Sequence, residues 1–424
     1  MRTAIVAGCR TPFAKAGTEL QGLSAIELGR IAVRETLAQA NVDGRAVDQL
    51  IFGTVLHNPQ APNIAREVGL AVLPKHVPAT TVSRACASSN QAIADGVNLI
   101  ELGLADIVVA GGAESLSHVP IMVSEKLSRV LVEAAKARSL KERISVLSKV
   151  RPRDLVPLKP QIAEPTTAET MGESAERMAK ENGISRASQD QWALRSHQLA
   201  AAGTADGRLA AEIAPVYLPP SFEAVPDRDN GIRLDTSLEA LSGLRPVFDR
   251  RHGSVTAGNA SPLTDGGAAV VLMSEAAAQS HGVGPLAWIR SYAITALDPS
   301  GQLLQGPAYA APRALDRAGI SMRDIDIMEM HEAFAAQVLS NLQALASADF
   351  AERELGRRSP VGHPELDRIN VMGGSIALGH PFGATGARIT MTLANELRRR
   401  DGQFGLLTVC AAGGMGFAMV IERA

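Results

Sequence analysis

Short runs of apolar and β-branched residues recur along the whole chain, and helix-length stretches separate them. "TAIVAG" (Thr3–Gly8), "QLIFGTV" (Gln49–Val55) and "DIVVAGGAE" (Asp106–Glu114) come early. "AAVVLMS" (Ala268–Ser274), "DIDIMEM" (Asp324–Met330), "FGLLTVCAAGG" (Phe404–Gly414) and "GFAMVIE" (Gly416–Glu422) come late. Strands alternating with helices predict an α/β fold with largely buried sheets.

A faint repeat points to duplication. "TLAQANVDGRAVDQL" (Thr36–Leu50) lies over "ALDRAGISMRDIDIM" (Ala314–Met328) without a gap. Leu37 then meets Leu315, Ala40 meets Ala318, Val42 meets Ile320, Arg45 meets Arg323, Val47 meets Ile325 and Asp48 meets Asp326. Both copies read as a helix end, a turn and a strand start. A looser match follows, in which Cys86 opens a helix leading to "DIVVAGGAE" and "GGSIALGHPFGATGAR" opens one leading to "FGLLTVCAAGG".

With 424 residues the chain is long enough for two or three domains, and its net charge of −2 gives no footprint for nucleic acid. No apolar run approaches the ~20 residues of a membrane span. The start, "MRTAIVAGCRTPF", reads as strand and turn rather than a secretion signal, so a cytoplasmic location is expected. Cys9, Cys86 and Cys410 are far apart, with no zinc-type spacing. A sparse, odd set fits a reducing compartment, where each is core filler or a nucleophile.

The middle of the chain differs. From Lys126 to Lys159 there are ten Lys/Arg against three acids, a local charge of +7. Leu127, Val130, Leu131 and Ala134 recur at helical spacing, as do Leu140, Ile144 and Leu147, predicting short basic amphipathic helices ended by Pro152. Such a segment is a solvated face, or it seats a phosphorylated ligand, a partner subunit or an anionic membrane surface.

Four residues carry candidate chemistry. Cys86, in "VSRACASSNQAI", precedes capping-type residues Ser88, Ser89 and Asn90 and the apolar face Ile93, Val97 and Ile100. A thiol at a helix N-terminus is expected to ionise more readily, and its small neighbours leave room for a ligand. His331 starts "HEAF"; the zinc-protease pattern fails because the fifth position is Ala335. His380 sits in a glycine-rich turn without the Gly-Lys-Ser/Thr ending of a phosphate loop. Cys410 lies at a strand end. One thiolate as nucleophile, a histidine as its base, a second thiol as proton donor and oxyanion donors around them form a coherent set.

These motifs, "VSRACASSNQAI", "VVAGGAES", "TAGNASPLTDGGAAV", "HEAF", "GGSIALGHPFGATGAR" and "CAAGGMG", resemble those of the thiolase family in order and spacing, over nearly the whole chain. The resemblance implies two similar βα halves in a five-layer αβαβα core with an inserted helical and loop domain. Residues 1–119 and 251–285 would form one half, 286–424 the other, and 120–250 the insertion. "SSNQA", "HEAF" in place of the commoner "NEAF", "GHPFGATG" and the basic insertion resemble the branch of the mitochondrial trifunctional enzyme β-subunit. That branch cleaves 3-ketoacyl-CoA in fatty-acid β-oxidation beside a hydratase/dehydrogenase subunit.

The resemblance makes Cys86 the acyl-accepting nucleophile, His380 its activator and an oxyanion donor, and Cys410 the acid/base for the acetyl-CoA carbanion. His331 stands where most thiolases place an Asn in the oxyanion hole. A second hole would use the N–H groups of Cys86 and Ala412, the latter a Gly in many relatives. Ser261, Met171 and Gly172 match positions near the pantetheine tunnel of coenzyme A, and Arg233 and basic residues of the insertion are candidates for its nucleotide phosphates. Coenzyme A is then a substrate, with no metal or prosthetic group, and the core a homodimer or dimer of dimers. The rivals are a biosynthetic acetyl-CoA C-acetyltransferase that condenses two acetyl-CoA, a ketoacyl synthase, and an inert acyl-CoA-binding subunit. Cys410 argues against the synthase, and the presence of Cys86, His380 and Cys410 argues against the inert subunit.

Overall fold

The computed structural model describes residues 2–158 and 163–424. Ten strands carry the fold: β1 (Thr3–Arg10), β2 (Ala14–Lys15), β3 (Gln49–Gly53), β4 (Ala79–Val82), β5 (Ile107–Glu114), β6 (Thr264–Ser274), β7 (Ala287–Ala296), β8 (Ile325–Met330), β9 (Phe404–Ala411) and β10 (Met415–Arg423). Their order is β4-β3-β5-β6-β1-β7-β10-β9-β8, with β2 on β6. Outward from β1 and from β7 the two halves repeat one pattern. An antiparallel neighbour comes first (β6; β10), then another antiparallel step (β5; β9), then a parallel one (β3; β8). A parallel partner ends each half, β4 on β3 and the Met328–Ile369 bridge on β8. The halves join where β1 meets β7 at Thr3–Ile289, Ala4–Trp288 and Ile5–Ala287.

The helices are α1 (Ala25–Ala40), α2 (Ile64–Val72), α3 (Ser88–Glu101), α4 (Glu125–Lys136), α5 (Leu140–Leu147), α6 (Met171–Glu181), α7 (Arg186–Ala205), α8 (Leu238–Ser242), α9 (Glu275–Ser280), α10 (Gly306–Ala318), α11 (Ala335–Ala346), α12 (Ala348–Arg353), α13 (Ser375–Leu378) and α14 (Thr385–Arg399). α1 and α2 cover one sheet half, α10 and α11 the other, and α3 and α14 lie between the halves. This is the five-layer arrangement expected. Alternate residues of each strand serve different cores. Val270 and Leu272 face the central helices with Val409, Phe417 and Met419, while Val271 and Met273 face α1. A strand buried on both faces needs apolar residues at both parities, so its sequence shows no polar alternation.

The repeat predicted over Thr36–Leu50 and Ala314–Met328 is structural. α1 and α10 both stop at left-handed caps, Asn41 (φ 53°) and Gly319 (φ 72°). Asp48 accepts the N–H groups of Asp106 and Ile107 at 2.8 and 2.9 Å. Asp326 accepts those of Gln403 and Phe404 at 2.6 and 3.0 Å. Each carboxylate thus pins the start of the neighbouring strand of its own half.

The basic segment begins as a hairpin of α4 and α5 and continues past Leu147 to Leu158; Lys159 lies outside the described residues. Its apolar stripes do not behave alike. Leu127, Val130 and Ala134 are buried, whereas Leu131, Leu140, Ile144 and Leu147 are exposed. Pro152 does not end a helix; α5 stops at Leu147, and Pro152 opens a 3₁₀ turn, Pro152–Leu155, where its fixed φ fits.

Candidate active site

Cys86 lies between β4 and α3, just after Ala85, which adopts φ 45°. A non-glycine residue in the left-handed region is costly, so packing around this turn must hold it. The capping expectation for Ser88, Ser89 and Asn90 is not met, because α3 begins at Ser88 with Ala87 as an N-cap that makes no side-chain bond. Those side chains tie the turn together and join the two central helices. Ser88 Oγ accepts Arg84 N–H at 2.8 Å and donates to the Ala85 carbonyl at 2.7 Å. Ser89 Oγ accepts Ala387 N–H at 2.9 Å, and Asn90 Nδ2 donates to Gly386 O at 3.4 Å. A Cβ on Gly386 would lie 2.0 Å from Asn90 Oδ1, so only glycine lets the helices approach here.

His331 follows β8, Cys410 is the penultimate residue of β9, and His380 sits between α13 and α14. One ligating atom each from Cys86, His331 and His380 lies within 4.8 Å of the others. The two rings are 4.1 Å apart centre to centre and tilted by 49°. Both Nε2 atoms are buried without a partner. Cys410 packs in an apolar cluster with Met171, Ala333, Ala336, Leu304 and the half-buried Ala412. The set has the donors of a soft-metal site, but a metal there would occupy the thiol and both imidazoles.

The hydrogen bonds assign the His380 tautomer. Thr385 Oγ1 donates to the Pro381 carbonyl at 3.0 Å and lies 2.6 Å from His380 Nδ1. Both contacts are used only if Nδ1–H donates to Thr385, which leaves Nε2 a bare acceptor facing Cys86.

Burial sets the ionisation states. It pushes the Cys86 thiol up to about 12, with the N–H groups of Ala412 and Cys86 itself pulling the other way. The expected lowering of this thiol is therefore overturned, because desolvation at the interface of two helices outweighs the helix terminus. Burial, then the nearby Arg388 charge, lowers His380 to about 3. His331 is held well below its usual value by burial, His380 and Arg388. Cys410 is driven well above the ordinary thiol range by burial and by Cys86. These shifts all favour the uncharged form of the four groups at neutral pH.

Two buried carboxylates anchor the histidine loop at both ends. Glu332 accepts Trp192 Nε1 at 3.0 Å, Ser196 Oγ at 2.7 Å, Asn370 Nδ2 at 2.8 Å and Ile376 N–H at 3.2 Å. Glu114 accepts Thr54 Oγ1 at 3.1 Å and the N–H groups of Val55, Leu56 and Gly383, each at 3.0 Å. Glu164, also buried, accepts Gly413 N–H at 2.5 Å and so ties the chain ahead of α6 to the loop after Cys410. Sequence reasoning passed over Thr385, Glu114, Glu164 and Glu332. Thr385, Glu114 and Glu332 sit inside the quoted motifs, which could have signalled them, whereas Glu164 lies in none of them.

The structure brings three of the expected coenzyme A residues near this centre. Ser261 N–H donates to Ala333 O at 3.0 Å, and the neighbouring Pro262 carbonyl accepts His380 N–H at 3.2 Å. Met171 belongs to the Cys410 cluster. Gly172 contributes space, since a Cβ there would sit 1.8 Å from the Phe248 ring. Arg233 is exposed; its N–H donates to His197 Nδ1 at 3.2 Å, and its charge lowers the pKa of Lys15 after burial has done so.

A duplicated five-layer α/β fold that gathers two cysteines and two histidines at the ends of its strands and central helices is the architecture of a thiolase. The chain belongs to that family: residues 3–276 match the thiolase N-terminal domain and 283–423 the thiolase C-terminal domain. It is 52% identical over 422 residues to proteins named 3-ketoacyl-CoA thiolase from Yersinia pestis (strain Pestoides F) and Yersinia pseudotuberculosis serotype O:3 (strain YPIII), covering 99% of this chain and 97% of each relative. Among solved structures, Bacillus anthracis acetyl-CoA acetyltransferase superposes with a TM-score of 0.84 at 33% identity, covering 100% of this chain and 99% of the other. Human mitochondrial 3-ketoacyl-CoA thiolase in complex with CoA gives 0.83 at 34%, covering 100% and 98%.

Proposed function

We propose that the protein cleaves 3-ketoacyl-CoA with coenzyme A to acetyl-CoA and a shortened acyl-CoA, in fatty-acid β-oxidation. The observation that carries this is the Cys86–His331–His380 cluster with two unpartnered Nε2 atoms. Cys86 Sγ gives its proton to His380 Nε2 and attacks the 3-keto carbon. The resulting oxyanion would accept the N–H groups of Cys86 and Ala412, the two backbone groups that favour the Cys86 thiolate. The C2–C3 bond then breaks, the acyl group stays on Cys86, and acetyl-CoA leaves as an enolate. The enolate oxygen is held by His380 Nε2–H, newly protonated, and by His331. One such preorganised donor contributes roughly 3 kcal/mol. Cys410 protonates C2, and its thiolate then takes the proton of incoming coenzyme A. The coenzyme A thiolate so formed attacks the acyl-cysteine; as the shortened acyl-CoA departs, His380 returns the proton to Cys86. Each group ends as it began, which needs no cofactor beyond coenzyme A as substrate.

Ser261, Met171 and Gly172 would border the pantetheine arm, and Arg233 would meet the nucleotide phosphates. The same groups serve acetyl-CoA condensation, so thiolysis across acyl chain lengths tests the reading. Turnover of acetoacetyl-CoA alone would assign the acetyltransferase reaction instead.

The active chain is a homodimer or dimer of dimers in this proposal. β4 supports it, being an outer strand paired only with β3 and half exposed along its "ATTV" sequence. A cytoplasmic location fits three free cysteines. No described helix is long and apolar enough to cross a membrane. The 120–250 insertion would dock a hydratase/dehydrogenase subunit through the basic hairpin, whose Leu140 is 73% exposed and Ile144 58%. Deleting Ser128–Ser148 should keep thiolysis and lose co-purification of that subunit; an intact complex would turn the hairpin into a lid or a membrane contact.

A further inference from the structure

We infer that Ser375, itself held by Arg388, fixes His331 as the Nε2–H tautomer, so that His331 faces the reacting atoms as a hydrogen-bond donor while His380 faces them as a base. This deepens the thiolase reading and rests on it for the meaning of the site, not for the hydrogen-bond assignment.

Ser375, fully buried at the start of α13, has its Oγ 2.9 Å from His331 Nδ1. Arg388 Nη2 donates to the same Oγ at 3.1 Å. A guanidinium has donors only, so Ser375 is an acceptor towards Arg388 whatever the ionisation of its surroundings. Among the described residues, His331 Nδ1 is then the one acceptor in reach of the Ser375 hydroxyl proton. If Nδ1 carried a proton instead, both would point into the same contact or the hydroxyl proton would be buried without a partner, which is unfavourable. Ser375 therefore donates, Nδ1 accepts, and the imidazole proton resides on the unpartnered Nε2.

The neighbouring ring is wired in the opposite sense. Thr385 spends its proton on the Pro381 carbonyl and accepts from His380 Nδ1. Two hydroxyls, one held by an arginine and one by a carbonyl, thus give adjacent imidazoles different tautomers. Before Cys86 is deprotonated the pair offers one lone pair and one N–H. After it, the pair offers two N–H groups to one developing enolate oxygen. Ser375 and Arg388 touch no substrate in this scheme; they are positioning residues.

The test uses the full-length protein with ring-¹⁵N histidine and assigns His331 by its loss in His331→Asn. The wild type should show a neutral His331 protonated on Nε2 and a neutral His380 protonated on Nδ1. Ser375→Ala should let the His331 signal move towards the other tautomer and lower kcat for thiolysis about 10- to 100-fold, with KM within about threefold. Ser375→Thr, which restores a hydroxyl, should recover most of both. A wild-type His331 protonated on Nδ1 overturns the assignment, as does a Ser375→Ala enzyme with undiminished kcat. Wild-type protein that shows the expected tautomers but no thiolysis would sink the reaction and leave the wiring standing.

Discussion

Glu164 and Gly413 are joined by a 2.5 Å hydrogen bond that spans most of the chain and ends one residue beyond Ala412. The carboxylate comes from the segment ahead of α6. The N–H belongs to the loop whose preceding residue, Ala412, lends its backbone N–H to favouring the Cys86 thiolate. That loop cannot shift without losing this part-buried bond, so Glu164 would hold the Ala412 peptide in place. Glu164→Gln should weaken this hold and lower kcat about tenfold, with little change in Tm. Undiminished kcat in a folded variant would show that the loop is fixed without it.

Cys86 should be the acylated residue, seen as an adduct by peptide mass spectrometry after incubation with acyl-CoA. An adduct on Cys9 or Cys410 would reverse the roles. Because burial lifts this thiol to about 12 and lowers His380 to about 3, the resting pair is neutral from pH 4 to 10. The thiolate fraction then rises about tenfold per pH unit across that window. Alkylation of Cys86 by iodoacetamide should keep rising to pH 10; a plateau from pH 6 upward would mean a thiolate–imidazolium pair.

Cys410→Ser should leave acylation of Cys86 largely intact and slow complete turnover by about 10²–10⁴, because only the proton transfers at C2 and at coenzyme A depend on it. Single-turnover acylation measured beside steady-state kcat separates the steps. Failure to acylate in a folded variant would give Cys410 another task.

Glu329 predicts a pH dependence of stability. Burial pushes its carboxyl up to about 8, with Arg388, 3.6 Å away, only partly opposing this. The native state therefore holds a proton that the unfolded chain releases near pH 4.5. The associated stability is fully present below pH 4.5 and is lost as pH rises through 8. Tm should fall over that range in the wild type and less steeply in Glu329→Gln; parallel curves would contradict the assignment.

Gly386→Ala should destabilise by at least about 1–3 kcal/mol, since the new methyl falls on the backbone and side chain of Asn90. Thiolysis should fall with it, because the same contact sets the Cys86 turn against the His380 loop. Unchanged Tm would mean that the two central helices can slide apart freely.

Much was legible in the chain because it is written in local pattern. Short apolar and β-branched runs alternating with helix-length stretches pointed to the α/β class. The Thr36–Leu50 and Ala314–Met328 match reported the duplication because each copy repeats the same job: a left-handed cap, a turn, and an aspartate on the next strand. Cys86, His331, His380 and Cys410 were recognisable because strand ends and glycine turns are where such a fold leaves room for chemistry. What the sequence could not hold is the meaning of each residue's surroundings. Ser88, Ser89 and Asn90 have the chemistry of caps, yet Ser88 ties the Cys86 turn to itself while Ser89 and Asn90 bind the first turn of α14, nearly three hundred positions away. Cys86 has the local setting of an easily ionised thiol, yet packing where α3 meets α14 leaves it only partly exposed, and that desolvation outweighs the helix terminus. Thr385 and Ser375 are ordinary hydroxyls until packing sets one against a carbonyl and the other against Arg388, and only then does each decide which nitrogen of a histidine keeps its proton. Periodicity and spacing are properties of neighbours in sequence; desolvation and hydrogen-bond direction belong to neighbours in space, and only the tertiary structure names those.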